Sequence, residues 1–169
     1  MLLYHPAFDA SHCLYRLVVI ASSIKQDILT WDLLRIIDFY YLFPSQLKRV
    51  QPWPVGLKKY KSSVADIPDQ FEDIANPARV FFDLSEFQKT ALLELISKGL
   101  VSKEAFEKGV IKLDSQKIPA GFTQAMNEDS FVHSSTFKVL IEALPKIDMN
   151  GSTGLKKRSG LMEFIYDVK

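Results

Sequence analysis

The stretch TWDLLRIIDFYYLFP, residues 30–44, constrains the fold of this sequence more than any other. Thr30 can cap a helix at its start, and the closing proline ends that helix because proline has no amide hydrogen to donate. Asp32, Arg35 and Asp38 recur every three residues, so they form one narrow polar stripe on an otherwise apolar helix. Such a helix lies at the centre of a fold or in a protein interface. A buried stripe would orient neighbouring helices more than it would stabilise them.

Composition places the chain among ordinary globular proteins. Of its 169 residues, 47% are hydrophobic and 24% are charged, so a packed core is expected rather than disorder. The formal net charge of +1 excludes a bulk basic field that would draw the chain to nucleic acid or to a membrane. No membrane span or signal peptide is recognisable, and the single cysteine excludes a disulfide framework within the chain. We therefore expect a cytoplasmic protein.

Apolar residues recur at helical spacing in several other segments. A Ser-x-x-Gln pattern at Ser85 has the form of a capping box, and Gly99 suits the position just after a helix end. In addition to the helix at 31–43, the predicted helices are residues 11–24, 86–98, 135–144 and a shorter turn at 102–108.

Four short segments have the composition of β-strands. RVFFDL (79–84) is β-prone, and LMEFIYDV (161–168) is expected to close the fold as a strand. VIKL (110–113) and KIP (117–119) are expected to pair as a hairpin around the turn between them. The order of helix, turn, short helix and hairpin is typical of half a winged-helix domain.

These elements predict an α+β fold that is predominantly helical, with winged-helix-like elements, a short β-hairpin and a C-terminal strand. We expect a single domain, 1–169, which can be divided into a helical lobe at 1–78 and a winged-helix-like lobe at 79–169. Between the second and third helices the chain is predicted to be irregular, because QPWPVG surrounds Trp53 with two prolines and a glycine.

The stretch HPAFDASHC, residues 5–13, combines four residues of types that bind metals. A zinc site needs four ligands, or three and a water, and the remaining histidine, His133, is remote in the sequence. Cys13, alone or with His12, is the candidate for an alternative enzymatic function, although no recognisable nucleophile motif surrounds it. The favoured interpretation is structural, with Asp9 capping the first helix and Cys13 packing as a small hydrophobe. We predict no metal, no cofactor and no enzymatic activity.

Two basic clusters are candidates for contact with nucleic acid. The first surrounds Tyr60, where a solvated face is the simpler interpretation. The second follows GSTG and could contact either a phosphate backbone or an acidic partner surface. It is not a Walker-type phosphate loop, because that motif's spacing is missing from the sequence. The cations of both clusters, for which salt-dependent binding is expected, are Lys58, Lys59, Lys61, Lys156, Lys157 and Arg158.

Four blocks of the sequence resemble one known family. They are LLYHPAFDASHCLYRL (2–17), LLRIIDFYYLFP (33–44), RVFFDLSEFQKTALLELISKGLV (79–101) and TGLKKRSGLMEFIYDV (153–168). In this order they resemble the middle component of bacterial ABC-three-component conflict systems, which include Lamassu-type antiphage operons. The resemblance implies a non-enzymatic adaptor. Its partners would be an SMC-like ABC ATPase, which senses DNA, and a separate effector, often a nuclease.

Under this resemblance the stretch HPAFDASHC is a docking element, and exposed aromatic residues contact the partners. Twelve Phe, six Tyr and two Trp are many for this length, and aromatic side chains are enriched at interfaces. The alternative function is a winged-helix DNA-binding regulator, although the balanced charge of its candidate recognition segment, 102–108, counts against it. The candidate partner-binding residues are His5, Phe8, Trp53 and Tyr60.

Overall fold

The computed structural model describes residues 5–24, 27–71 and 73–163, and this part of the chain is built from helices. Its α-helices are α1 (Ala10–Ser23), α2 (Trp31–Leu42), α3 (Lys61–Ala65), α4 (Pro77–Ser97), α5 (Lys103–Glu107), α6 (Ala120–Glu128), α7 (Ser135–Lys138) and α8 (Leu155–Ser159). A π-helical turn continues α7 over Val139–Ala143. Short 3-10 helices lie at Pro6–Phe8, Pro44–Arg49, Val55–Tyr60, Ser115–Lys117, Leu144–Lys146 and Leu161–Glu163.

The first two helices begin where the sequence predicts. The Asp9 side chain accepts a hydrogen bond from the amide of His12 at 2.8 Å, and the Thr30 hydroxyl accepts one from the amide of Leu33 at 3.2 Å. Each bond satisfies an amide that the first turn of a helix leaves without an internal partner. Both predicted caps are therefore confirmed.

The predicted strand at 79–84 is wrong, because these residues form the first part of α4. Asn76 caps that helix by accepting a hydrogen bond from the amide of Arg79 at 3.1 Å, and Pro77 occupies its first turn. Proline at that position needs no hydrogen-bond partner, so Asn-Pro is a strong start signal. The last residue of α4 is Ser97, and Gly99 lies just after the helix end, as predicted. Its φ of 72° is in the left-handed region that favours glycine.

The predicted β-hairpin is also wrong, and the winged-helix interpretation fails with it. No strand occurs among the described residues; the segment at 110–113 forms only an isolated bridge from Leu113 to Val101. The amide of Ile111 donates instead to the carbonyl oxygen of Leu29 at 2.7 Å, so this segment is held by the loop before α2. The expected return strand begins within the 3-10 helix Ser115–Lys117.

The predicted C-terminal strand fails over the part that can be observed. Leu161–Glu163 forms a 3-10 helix, and the remainder of that segment lies outside the described residues. The α+β class is corrected to an all-helical fold over the described part of the chain. The described residues therefore contain neither the wing nor the sheet that a winged-helix DNA-binding regulator would need. The prediction of one domain with lobes at 1–78 and 79–169 stays a prediction.

The core forms where α1, α2 and α4 pack against one another. Burying the apolar faces of these helices is the main favourable contribution to folding. None of the described helices is both long and apolar enough to span a bilayer. Fully buried apolar side chains at the centre of the core are Leu17, Ile20, Leu34, Ile36, Ile37, Phe39, Leu84 and Leu92.

A buried ion pair between Arg16 and Asp38 lies within this packing. Arg16 Nε donates to Asp38 Oδ1 at 2.6 Å, Nη2 donates to Oδ2 at 3.2 Å, and both side chains are 0% exposed. Gln88 of α4 donates a further hydrogen bond to Asp38 Oδ2 at 2.8 Å. The third Arg16 nitrogen, Nη1, donates to the carbonyl oxygen of Pro6 at 3.3 Å and lies 2.7 Å from Nδ1 of His12. One carboxylate thus joins α1, α2 and α4.

The three residues of the polar stripe predicted on α2 lie in different surroundings. Asp38 and Arg35 bond to the buried network, and Asp32 lies near the surface. Arg35 Nε donates to Oε1 of Gln88 at 3.1 Å, and the guanidinium lies 4.6 Å from the centre of the Phe81 ring. Asp32 lies at the half-buried edge of the helix, where it pairs with Lys156 at 2.8 Å. Asp38 therefore lies at the centre of the fold, as the sequence allowed, while Asp32 remains in contact with solvent.

We expect the substitution Asp38→Ala to lower the free energy of unfolding by roughly 3–5 kcal/mol, because it leaves the Arg16 cation buried without a counter-charge. Urea denaturation followed by circular dichroism measures the change. The control Asp83→Ala removes an exposed pair with Arg79 on α4, at 4.0 Å, and should cost less than about 1 kcal/mol. Equal losses for the two variants would show that the buried pair has no special role.

Candidate docking surfaces

The chain that follows α2 forms an apolar groove around Trp53, which we call the Trp53 groove. The indole Nε1 of Trp53 donates to the carbonyl oxygen of Leu57 at 2.8 Å, so the ring is fixed in a half-buried position. The groove has a volume of about 340 Å³. Its lining residues are Leu47, Lys48, Val50, Gln51, Trp53, Lys61, Val64 and Ala65.

The local sequence explains why this groove forms. Pro44 starts a 3-10 helix directly after α2, and that helix buries Leu47 completely. The prolines on both sides of Trp53 prevent a regular helix in the loop that follows. The chain turns back through Val55–Tyr60 into α3, where Val64 faces the core. The prediction of a loop at QPWPVG is confirmed for its first four residues, and the 3-10 helix begins at Val55.

The groove lies in the most basic part of the chain. Residues 44–65 contain five basic residues and no acidic residue. The whole chain has 21 basic and 20 acidic residues, so the remainder has 16 basic and 20 acidic residues. Lys48 and Arg49 pair with Asp69 and Asp73 at 2.8 and 3.1 Å, so the positive charge of this segment that has no ion-pair partner among the described residues comes from Lys58, Lys59 and Lys61.

The predicted lysine cluster borders the same groove. Lys61 lines it, while Lys58 and Lys59 are exposed on the 3-10 helix just before it. The Lys59 ammonium lies 4.9 Å from the centre of the Tyr60 ring. Tyr60 itself is only 8% exposed, and its hydroxyl donates to Glu142 at 2.9 Å. Tyr60, a predicted partner contact, therefore presents little surface, and its role as a partner contact stays a prediction.

His5 and Phe8 lie together at a second surface, the N-terminal aromatic surface. The His5 ring stacks on Phe43 with centroids 5.8 Å apart, and Phe8 meets Phe87 of α4 edge to face at 5.6 Å. Phe8 is 46% exposed although its ring is large and apolar. Phe71 is fully exposed, and it lines a cavity of about 280 Å³ together with His5 and Phe43. Large apolar side chains that remain exposed, such as Phe8 and Phe71, are candidates for contact with a partner protein.

The second basic cluster lies on α8. Lys156 pairs with Asp32 at 2.8 Å, and Lys157 pairs with Glu163 at 3.4 Å. Arg158 donates to the backbone carbonyl oxygens of Thr153 and Pro52, so it attaches α8 to the loop before Trp53. All three cations thus have partners within the chain. Their contact with nucleic acid stays a prediction.

Cys13 belongs to the core, and His12 lies half buried beside Arg16. Cys13 is completely buried, and this burial raises the pKa of its thiol to about 12. Burial, together with the positive charge of Arg16, lowers the pKa of His12. Within the residues described, no group of three or more His, Cys, Asp or Glu side chains is placed to hold a metal ion. The structural interpretation of the opening stretch fits this geometry.

A family model matches residues 2–167, and its description is ABC-three component (ABC-3C) system Middle Component 5. The chain belongs to this family. The predicted resemblance to a middle component is therefore confirmed at that level. No curated protein and no solved structure matches the chain.

Sequence reasoning missed one polar cluster of this ABC-3C middle component. Tyr15 of α1 and Tyr41 of α2 both donate to Oδ2 of Asp129, at 2.9 and 3.1 Å. Burial and the hydrogen bond to Asp129 raise the pKa of Tyr15 to about 12. The two tyrosines hold the end of α6 against the first two helices. No local pattern relates Tyr15 to a carboxylate 114 residues away, so only the fold identifies this cluster.

We expect Cys13 of the folded middle component to react with iodoacetamide at pH 8 at least a hundredfold more slowly than free cysteine. Its thiol is buried and its raised pKa leaves little thiolate, which is the reactive form. Mass spectrometry of timed samples measures the rate, and the same protein in urea should react at the rate of an ordinary thiol. Native reactivity faster than that of free cysteine would support the enzymatic alternative, and native reactivity equal to it would contradict the burial of this thiol without supporting an enzyme.

Proposed function

We propose that this middle component is a non-catalytic accessory subunit that bridges two other proteins of a cytoplasmic antiphage defence complex. One partner is an SMC-like ABC ATPase that senses DNA, and the other is an effector such as a nuclease, in a system of Lamassu type. The family match over residues 2–167 carries this proposal, because a middle component works within a multi-component system. The resemblance of the four sequence blocks supports the particular partners.

Two cavities with different linings support the bridging role. The Trp53 groove and the cavity of the N-terminal aromatic surface have no lining residue in common, and a third cavity, which shares Lys48 with the first and Gln70 and Asp73 with the second, lies between them. Each contains an aromatic residue that can serve as an anchor, Trp53 in one and Phe8 beside the other. Binding energy in protein interfaces is concentrated in a few such aromatic residues. A subunit that contacts two partners at once needs two surfaces of this kind.

We expect the chain, expressed together with the products of its neighbouring genes, to copurify with an ABC-type ATPase in near-stoichiometric amount. Affinity purification at low and moderate salt, followed by mass spectrometry and mass photometry, measures this. Recovery of the chain alone, monodisperse and without a partner at either salt concentration, would contradict the proposal.

The variant Phe8→Glu should reduce the recovery of one partner about tenfold while the other is retained, since a buried carboxylate in an apolar contact is unfavourable. Leu93→Glu is the matched control, because Leu93 is an exposed apolar residue of α4 that lines neither surface. Loss of both partners in both variants would indicate a folding defect and not a specific contact. Unchanged recovery with Phe8→Glu would exclude the N-terminal aromatic surface.

A further inference from the structure

We propose that the Trp53 groove binds a short acidic segment of a partner protein, which inserts one or two apolar side chains between flanking carboxylates. This inference rests on the proposed accessory function and specifies the chemistry of one of its two contacts. It gives the Trp53 groove a peptide ligand with a defined charge and a defined apolar anchor.

The shape and lining of the groove select an apolar anchor. Five of its lining side chains are apolar, among them Trp53 and the aliphatic residues Leu47, Val50 and Val64. A volume of about 340 Å³ is at the lower end of the range for ligand pockets, so it accommodates one or two large side chains. Trp53 is already fixed by its bond to Leu57, and a fixed ring loses little conformational entropy on binding.

The charge around the groove selects an acidic partner. Lys61 lines the groove and Lys58 is exposed nearby, and neither forms an ion pair with any described residue. Lys48 also lines the groove, but it is paired with Asp69 at 2.8 Å. Asp69 and Asp73 pair with Lys48 and Arg49, Glu142 accepts from Tyr60, and Asp66 directly follows α3. Two lysines without an ion-pair partner at an apolar groove are complementary to a segment that carries carboxylates close to an apolar residue.

A peptide fits this groove better than a nucleic acid does. Non-specific binding of single strands combines cations along the backbone with open aromatic faces on which bases stack. Here Trp53 is half buried, and aliphatic side chains share the lining of the groove with it. Aliphatic walls bind apolar side chains but offer no donor to a phosphate. Contact of Lys58, Lys59 and Lys61 with nucleic acid is therefore the competing outcome that the experiment must separate.

Fluorescence anisotropy with the full chain and labelled probes tests the proposal. The first probe is a nine-residue peptide with Leu-Phe at its centre and aspartates on both sides. The comparison probes replace Leu-Phe by Ser-Ser, replace the aspartates by lysines, or consist of a 20-nucleotide oligothymidylate. We expect the acidic, apolar peptide to bind at least tenfold more tightly than each of the other three.

Two groove variants and one control locate the binding. The double variant Lys58→Glu/Lys61→Glu should weaken binding of the first probe at least tenfold, and Ala65→Trp should do the same by filling the groove. Lys89→Glu/Lys103→Glu, which makes the same charge change on α4 and α5, should alter it less than twofold. Circular dichroism checks that all variants are folded.

Three results would overturn the inference. The first is that the acidic peptide does not bind, and the second is that the basic peptide binds as tightly as the acidic one. The third is that oligothymidylate binds more tightly than the acidic peptide and that this binding depends on Lys58 and Lys61. These measurements use the isolated chain, so they are independent of copurification with an ATPase. If the complex forms but the acidic probe does not bind the groove, this inference fails and the accessory function stands. If the probe binds as expected but no partner copurifies, the accessory function fails.

Discussion

The arrangement of the three main helices depends on the buried ion pair between Arg16 and Asp38. Two charges with no exposed surface are unfavourable unless each is fully paired, and here every oxygen of the carboxylate accepts a hydrogen bond. Gln88 supplies one of those bonds from α4. A rotation or shift of any of the three helices would leave a charge or an amide without its partner. The geometry of this network therefore favours one register of the three helices.

The contacts of the α2 stripe also determine which charged side chains remain free to contact a partner at the surface. Asp38 and Arg35 are committed to the interior of the helix packing, while Asp32 binds Lys156 and so holds α8 near α2. Arg158 then attaches α8 to the loop before Trp53. The stripe on α2 thus has an indirect role in supporting the Trp53 groove. The unpaired cations that can meet a partner come instead from the basic segment after α2, chiefly Lys58 and Lys61.

Much of the helical skeleton was predictable because it depends on local chemistry. Asp9 and Thr30 cap helices in the sequence and in the structure, and Gly99 follows α4 where a left-handed residue is needed. One error arose from a local helix-start signal that the composition of the segment obscured, and another from a distant contact. Residues 79–84 have the composition of a strand but belong to the helix started by Asn76, and Ile111 bonds to Leu29 rather than to a hairpin partner.

The candidate surfaces were only partly predictable from the sequence. Trp53 and the nearby lysines stood out by composition, but as two unrelated features, one aromatic and one basic. Their meeting in a single groove depends on the turn through Val55–Tyr60 and on Val64 of α3, which brings Lys61 beside the apolar lining. Gln88 completes the buried network by donating to Asp38. Nothing in the sequence around Gln88 distinguishes it from other polar residues of a helix, so this role could not be predicted.

The central claim is that this middle component acts by docking partner proteins on its surface. Hydrogen–deuterium exchange of the copurified complex, compared with the isolated chain, tests it most directly. We expect slower exchange in two regions, residues 47–65 around Trp53 and residues 5–8 at the N-terminal aromatic surface, with little change at the exposed face of α4. Unchanged exchange in both regions within an intact complex would contradict the claim.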